Sequence, residues 1–142
     1  MNELVEQPGE TMVIRAYEDK GELDTSVASA SFRTQTILSG SICGEMTAMR
    51  AWFPAGVVTN WHSHPRGQLL FALAGEGKAQ SDGEDVVTLH PGDAIWFPPG
   101  KRHWHGAGAG DAFSYISIQQ IEDGSYVTWM EPVAGLAGPA NA

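Results

Sequence analysis

The chain has 142 residues, of which 42% are hydrophobic and 9% aromatic, and these values are typical of one folded domain. Eight basic residues against 17 acidic ones give a formal net charge of −9, which argues against nucleic acids and anionic membranes as partners. The 17 glycines and 8 prolines are too many for a helical bundle and favour short strands joined by tight turns.

The first 30 residues are polar and irregular, and we expect them to form an N-terminal extension. Within it, residues 11–17 (TMVIRAY) predict a short edge strand. The amino terminus shows no basic region followed by an apolar run, and no segment is long and apolar enough to cross a bilayer. We therefore predict a cytoplasmic protein, with one domain over residues 31–133 and a flexible tail over 134–142.

Strand-like segments follow one another through the rest of the chain. In order they are residues 26–40, 45–53, 68–80, 85–90, 93–98, 112–120 and 126–133. Turn signals rich in glycine, proline and aspartate separate them, and no long segment shows helical periodicity. The pattern predicts an all-β fold, either a single antiparallel double-sheet β-sandwich or a barrel.

Two titratable residues carry no predicted chemistry. Cys43 is the only cysteine, so an internal disulfide is impossible, and without a nearby basic cluster we expect it to be a buried small hydrophobe. His90 lies in a turn (LHPGD) with no partner in sequence, and we expect it at the surface.

Four other histidines occur as two pairs with identical spacing. Side chains two residues apart on a strand point to the same face, so His62 and His64 converge, and so do His103 and His105. Gln68 opens the next strand and can aim at the same point. Three histidines and one oxygen ligand would leave two positions open around a six-coordinate ion, as in catalytic metal sites. The fourth histidine, His105, is then a supporting or acid–base residue.

The spacing of these residues resembles the two cupin motifs. The first motif has a glycine, His-x-His, an acidic residue and a second glycine, which correspond here to Gly56, His62, His64, Gln68 and Gly75. The second has a glycine, proline, glycine and histidine, which correspond to Gly92, Pro98, Gly100 and His103. Ala107 stands where the second motif has asparagine. The matching region covers about half of the chain.

The resemblance implies a cupin jelly-roll barrel that holds one divalent metal ion through His62, His64, Gln68 and His103. Manganese or iron is favoured, and nickel or zinc is compatible. Gln68 departs from the usual glutamate. Because the glutamine oxygen is uncharged, the ion would keep its full charge and favour an anionic substrate, hydroxide or cyanide.

The segments WHSHPRGQ, HPGDAIWFPPGKRHWHGA and YVTWMEPV are similar to small bacterial cupins. These include manganese-dependent hydroxynitrile lyases and carboxymuconolactone-decarboxylase-associated cupins. That resemblance implies catalytic positions at Thr59 and His105. It also places the lyases' base histidine at Tyr115, and an unperturbed tyrosine is a weak base at neutral pH.

Strands beside the motifs supply candidates for substrate binding. Period-two alternation would turn some apolar side chains inward, and we name Met49, Ala51, Phe71 and Trp96 as lining residues. Gln119 shares a strand face with Tyr115 and is a polar candidate for substrate contact.

These features favour a metal-dependent enzyme on a small organic substrate. Lewis-acid chemistry of the lyase or isomerase type ranks slightly ahead of Fe(II)-dependent dioxygenase chemistry, and non-enzymatic binding of a small ligand stays open. Since cupins of this size often pair through an edge strand, we also predict a homodimer or a larger symmetric homo-oligomer.

Overall fold

The structure, a computed structural model, describes residues 11–135, which form eleven β-strands. The strands are β1 (Glu22–Asp24), β2 (Phe32–Ser39), β3 (Met46–Phe53), β4 (His62–Ser63), β5 (Gln68–Gly75), β6 (Gly77–Ser81), β7 (Val87–Leu89), β8 (Ala94–Phe97), β9 (His103–Ala107), β10 (Phe113–Gln120) and β11 (Thr128–Trp129). Among these residues there is no helix that could span a membrane.

The strands form two sheets whose paired strands are all antiparallel. One sheet has six strands in the order β1-β2-β3-β10-β5-β8, and the other has five in the order β11-β4-β9-β6-β7. Consecutive strands change sheet repeatedly, as when β5 is followed by β6 and β8 by β9. The predicted all-β double-sheet sandwich is confirmed, and its interior lies between the two inner faces.

Strand β10 shows how the sequence builds that interior. Phe113, Tyr115, Ser117 and Gln119 are all buried, whereas the four residues between and after them are half-buried. This period of two gives the strand an inner and an outer face. Phe113 packs in the core with side chains from the neighbouring strands, and at that end the rings of Phe32 and Phe53 stack with centroids 4.3 Å apart. The polar members of the same face, Ser117 and Gln119, lie further along the interior.

Some predicted elements differ from the structure. Residues 11–17 form no strand, and the extension instead contributes β1, which pairs with Phe32–Thr34 at the sheet edge. The segment 68–80 is two strands in different sheets, because the chain leaves β5 at Gly75 with a φ of 79°. A Cβ at Gly75 would collide with the carbonyl of Ala112, so only glycine fits this crossover.

Two further expectations concern exposure and the chain end. Cys43 was expected to be buried and is exposed, because it lies in the turn between β2 and β3 and not on a strand. The flexible tail predicted over 134–142 lies, except for its first two residues, outside the described residues. The last predicted strand, at 126–133, is reduced to the two residues of β11.

Candidate metal centre

The two histidine-bearing segments meet on the five-stranded sheet. His62 on β4 is the cross-strand partner of His103 on β9, and His64 follows β4 directly. The chain then turns at Gly67, whose φ is 84°, and enters the six-stranded sheet at Gln68. A Cβ at Gly67 would collide with the ring of Trp96, so a tight glycine turn carries the chain from the histidines to the glutamine.

The four predicted ligands come together in the interior. One ligand nitrogen from each of His62, His64 and His103 lies within 4.8 Å of the other two. Gln68 faces them from the opposite sheet, with its Oε1 at 3.3 Å from Nε2 of His103. All four side chains are at most 4% exposed. Burial of this degree is common for a bound metal and costly for polar groups that have no partner.

Each of the three imidazoles is held in one tautomer by the main chain. The Nδ1 atoms lie at hydrogen-bond distance from carbonyl oxygens, namely Asn60 O at 2.9 Å from His62, Tyr126 O at 2.8 Å from His64 and Lys101 O at 2.9 Å from His103. A carbonyl oxygen can only accept, so each Nδ1 carries the hydrogen and each Nε2 keeps its lone pair. This is the usual arrangement of metal-binding histidines, whose other nitrogen is fixed by a carbonyl or carboxylate.

The electrostatics of the cluster also fit a cation. Burial lowers the pKa of His64 to about 4 and that of His103 to about 3, and it lowers the pKa of His62 well below its ordinary value. The imidazoles are therefore neutral near pH 7 and available as ligands. Nε2 of His64 has no hydrogen-bond partner within residues 11–135. Three neutral imidazole nitrogens and an amide oxygen are a donor set that divalent transition metals accept.

Hydrogen bonds to the neighbouring strands hold the amide of Gln68. Its Nε2 donates to Oε1 of Gln119 on β10 at 2.9 Å. Nε2 of Gln119 donates in turn to Oγ1 of Thr47 on β3 at 2.7 Å. Gln119 was predicted to contact substrate, but both ends of its amide are engaged with protein groups.

His105 lies beside the cluster without any hydrogen bond of its own side chain. Neither ring nitrogen has a partner among the described residues, and the residue is 2% exposed. Its ring centroid is 5.1 Å from that of His62 and 5.0 Å from that of Tyr115. Burial, reinforced by the neighbouring histidines, lowers the pKa of His105 well below its ordinary value, so the ring is neutral. The lowered pKa makes this imidazole a weak resting base, but its two free nitrogens, one a donor and one an acceptor, can relay a proton from one group to another.

The other two predicted catalytic residues lie on either side of His105. Tyr115 is buried in the apolar wall, and burial raises the pKa of its hydroxyl above the ordinary value. It therefore stays protonated and can donate a hydrogen bond, but it is no base near neutral pH. Oγ1 of Thr59 accepts from the backbone N–H of His105 at 3.2 Å and lies 3.5 Å from Nδ1 of His62.

The predicted lining residues divide into two pairs. Met49 and Ala51 share the inner face of β3, opposite Ser117 and Tyr115 of β10; Ala51 is buried and Met49 is half-buried. Phe71 and Trp96 lie on the outer faces of β5 and β8 and are 39% and 54% exposed. Their predicted role in lining the interior is wrong. On β5, Gln68 and Leu70 point inward, so Phe71 between Leu70 and the next inward position points outward. On β8, Phe97 is buried, so the adjacent Trp96 points to the opposite face.

Several contacts of the centre were not predicted. The ring of Phe97 stacks on His103 with centroids 3.7 Å apart, and the ring of Trp129 lies 4.5 Å from that of His62. Thr47 and the carbonyl of Tyr126 were also missed. Thr47 could have been found by counting inward positions on β3 from Ala51, whereas a main-chain carbonyl leaves no signal in the sequence.

A cavity of about 640 Å³ lies elsewhere in the fold. It is lined by residues that include Lys20, Arg33, Trp52 and Asp111, and by no member of the histidine cluster. None of the candidate ligands lines this cavity, but Phe53 does, and its ring also lies 6.5 Å from that of His105.

Comparison with known proteins agrees with this geometry. Residues 50–118 match the model of the cupin domain, and that range contains all four candidate ligands. A cupin-like protein from Thermotoga maritima has the same fold with a TM-score of 0.75 and 25% identity, over 86% of this chain and 92% of that one.

Two curated relatives are lyases by name. The chain is 49% identical over 81 residues to the (R)-mandelonitrile lyase of Granulicella tundricola, which is 57% of this chain and 62% of that protein. It is 34% identical over 58 residues to a dimethylsulfoniopropionate lyase of Ruegeria pomeroyi, which is 41% of this chain and 29% of that protein. The matches thus span less than two thirds of either relative. The matched domain, the double-sheet sandwich and the paired histidine motifs together show that the chain contains a cupin domain.

Proposed function

We propose that this protein is a metal-dependent lyase that cleaves a small hydroxylated organic substrate beside the histidine cluster. One observation carries the proposal. Three neutral imidazoles, each with its Nδ1 beside a main-chain carbonyl, bring one ligand nitrogen apiece to within 4.8 Å of one another. A fourth buried imidazole, His105, stands next to them, and no described residue bonds either of its nitrogens. The first three suit a metal ion, and the fourth suits proton transfer.

The residues that would hold the ion are His62, His64, His103 and Gln68. A bound divalent ion supplies a Lewis acid, which stabilises negative charge on an oxygen or on a departing anion. Because all four ligands are neutral, none of them offsets the charge of the ion. This favours anionic ligands in the remaining positions. Manganese or iron suits the nitrogen and oxygen donors, and nickel or zinc is also compatible.

His105 is the proposed proton acceptor. For an α-hydroxynitrile, the hydroxyl proton moves to an imidazole nitrogen of His105, and the O–H electron pair forms the carbonyl bond. The bond from carbon to the nitrile breaks, its electron pair leaves with cyanide, and cyanide then takes the proton. The products are an aldehyde and hydrogen cyanide, so atoms and charge balance. Tyr115 stays protonated and acts as a hydrogen-bond donor in this scheme.

The choice of substrate class is supported by two features. The relative with 49% identity is named for mandelonitrile, an aromatic α-hydroxynitrile. The wall around His105 is formed by aromatic rings, with Phe53, Phe97 and Tyr115 at centroid distances of 6.5, 5.9 and 5.0 Å. An apolar, ring-lined wall with few polar groups suits a small aromatic substrate.

The test is turnover of mandelonitrile by protein purified without metal-affinity chromatography. Metal-free protein is loaded with Mn(II) in air or with Fe(II) under anaerobic conditions, and benzaldehyde release is followed against the metal-free background. We expect release that depends on the metal and consumes no oxygen. The His105→Gln variant, loaded in the same way, is the matched control for proton transfer.

Two other outcomes would replace the proposal. Oxygen uptake coupled to turnover of the Fe(II) form would assign the site to a dioxygenase. Tight binding of a small ligand, without turnover across a panel of hydroxynitriles and related substrates, would assign it to a binding protein.

A further inference from the structure

We infer that Gln119, itself oriented by Thr47, is a positioning residue that turns the amide oxygen of Gln68 toward the histidines. The inference rests on the proposed metal site, because it concerns how one of the ligands is presented. It explains why a glutamine, whose two amide ends have almost the same shape, can serve as a ligand of defined orientation.

The orientation of Gln68 matters because only one end of its amide can bind a cation. The carbonyl oxygen carries lone pairs, whereas the NH₂ group offers two hydrogens and no acceptor. A glutamine without a fixed partner would populate both orientations, and one of them directs hydrogens at the metal position. A hydrogen-bond partner that holds the NH₂ group of Gln68 away from the histidines therefore increases metal affinity.

Main-chain carbonyls set the direction of this hydrogen-bond chain. Oγ1 of Thr47 donates to the carbonyl of Gln119 at 3.3 Å, so its lone pairs are left to accept from Nε2 of Gln119 at 2.7 Å. The same Nε2 lies 3.4 Å from the carbonyl of Thr47. A carbonyl can only accept, so the NH₂ group of Gln119 must face Thr47 and its Oε1 must face Gln68.

The remaining step follows from that direction. Oε1 of Gln119 accepts from Nε2 of Gln68 at 2.9 Å, which leaves Oε1 of Gln68 at 3.3 Å from Nε2 of His103. Thr47, Gln119 and Gln68 are cross-strand neighbours on β3, β10 and β5, and none is more than 6% exposed. Water therefore cannot easily replace a lost partner, and each amide depends on the next.

Two substitutions at position 119 separate this role from simple packing. Gln119→Leu keeps most of the volume but removes the acceptor for Gln68, and we expect Mn(II) affinity to fall about 10- to 100-fold. Gln119→Glu keeps an acceptor facing Gln68, and we expect a Kd within about threefold of the unsubstituted protein or tighter. Packing alone predicts the opposite order, because a buried leucine is tolerated better than a buried carboxylate.

Two further variants complete the series. Thr47→Val retains the shape but removes the hydroxyl that orients Gln119, and we expect a smaller loss of affinity, about three- to tenfold. Gln120→Leu is the matched control: its amide donates to the carbonyl of Gly44 on the other side of the strand, so Mn(II) affinity should not change. Titration calorimetry with MnCl₂ measures each Kd, and circular dichroism checks the fold.

A metal-free readout separates failure of this inference from failure of the proposed function. In the apo protein, the side-chain amide protons of Gln68 should exchange slowly with solvent, and Gln119→Leu should make them exchange faster, as NMR can show. Equal exchange in both proteins would overturn the inference, as would unchanged Mn(II) affinity in Gln119→Leu. If wild-type protein binds no divalent metal while this exchange difference holds, the proposed function fails and the orienting role of Gln119 stands.

Discussion

His103 and His105 lie two residues apart on β9, point into the same interior and are equally buried, yet their surroundings differ. His103 has its Nδ1 held by the carbonyl of Lys101 and its ring stacked on Phe97 at 3.7 Å. Within residues 11–135 no group bonds either nitrogen of His105, whose ring stands edge-on to Tyr115. The difference supports the two proposed roles, because a metal ligand needs its second nitrogen held, whereas a proton carrier needs a free nitrogen.

The same contrast extends to the two walls of the site. On the ligand wall, formed by His62, His64, His103 and Gln68, a main-chain carbonyl holds each Nδ1 and Gln119 holds the amide NH₂ group. Their lone pairs are therefore aimed before any ion arrives. On the other wall, around His105, aromatic side chains provide no hydrogen-bond partner. Each buried nitrogen without a partner costs about 1–3 kcal/mol. A ligand that forms hydrogen bonds or coordinate bonds with these nitrogens removes that cost, so ligand binding at this site should raise the free energy of unfolding.

The largest expected effect comes from removing a ligand. His64→Ala or His103→Ala should weaken Mn(II) binding more than about 100-fold and lower turnover to the metal-free background. The reason is that no other protein side chain can take the place of the lost ligand in this buried site. His90→Ala, at an exposed turn, is the control and should change neither. Calorimetry and elemental analysis measure the loss. Full metal occupancy in His64→Ala would show that the ligand wall is wrongly assigned.

The next effect separates His105 from the ligands. His105→Gln should lower kcat about 10²- to 10⁴-fold while leaving the Mn(II) Kd within about threefold, because the imidazole transfers a proton and does not bind the ion. Parallel kinetic and calorimetric titrations give both values. Loss of metal together with activity would make His105 a ligand, and the contrast with His103 would disappear.

A smaller effect is expected at Tyr115. Removing the hydroxyl in Tyr115→Phe should lower kcat about tenfold or less, with little change in the pH dependence of kcat. The reason is that the raised pKa of this hydroxyl keeps it protonated across the neutral range, so it supplies one hydrogen bond and no base. A loss as large as that in His105→Gln would assign proton transfer to the tyrosine.

The last effect concerns stability and not activity: it is a pH dependence of the free energy of unfolding in the apo protein. His64 and His103 have pKa values of about 4 and 3 when folded, against about 6.5 in the unfolded chain. Between these values the unfolded state binds more protons, so the free energy of unfolding should decrease as the pH falls from about 6.5 to about 4. Urea denaturation at several pH values measures this slope, which should be shallower in His64→Ala. If the free energy of unfolding depended on pH in the same way in His64→Ala, His64 would not be a buried neutral imidazole in the folded protein.

The sequence allowed the fold class, and the meeting of the candidate ligands, to be predicted for a physical reason. A His-x-His pair on a strand must present both rings to one face, and glycine and proline at fixed offsets mark the turns that bring two such strands together. His62, His64, Gln68 and His103 therefore met as expected. The inward and outward positions of β5 could also have been predicted from the sequence, because side chains alternate along a strand and an inward Gln68 requires an outward Phe71.

Other features could not be read from the residues. The function of Gln119 depends on which strands flank β10, and the pairing with β3 and β5 is a property of the whole sandwich. The tautomer of His64 depends on a carbonyl 62 positions later in the chain, at Tyr126. Long-range contacts of the main chain have no side-chain signature, so only the folded structure reveals them.

Anomalous diffraction from crystals of the Mn(II)-loaded protein tests the central claim most directly. We predict one ion per chain, bound by Nε2 of His62, His64 and His103 and by Oε1 of Gln68, with the ring of His105 unligated. No stoichiometric ion, or an ion bound through His105 while one of the three imidazoles is free, would contradict the account.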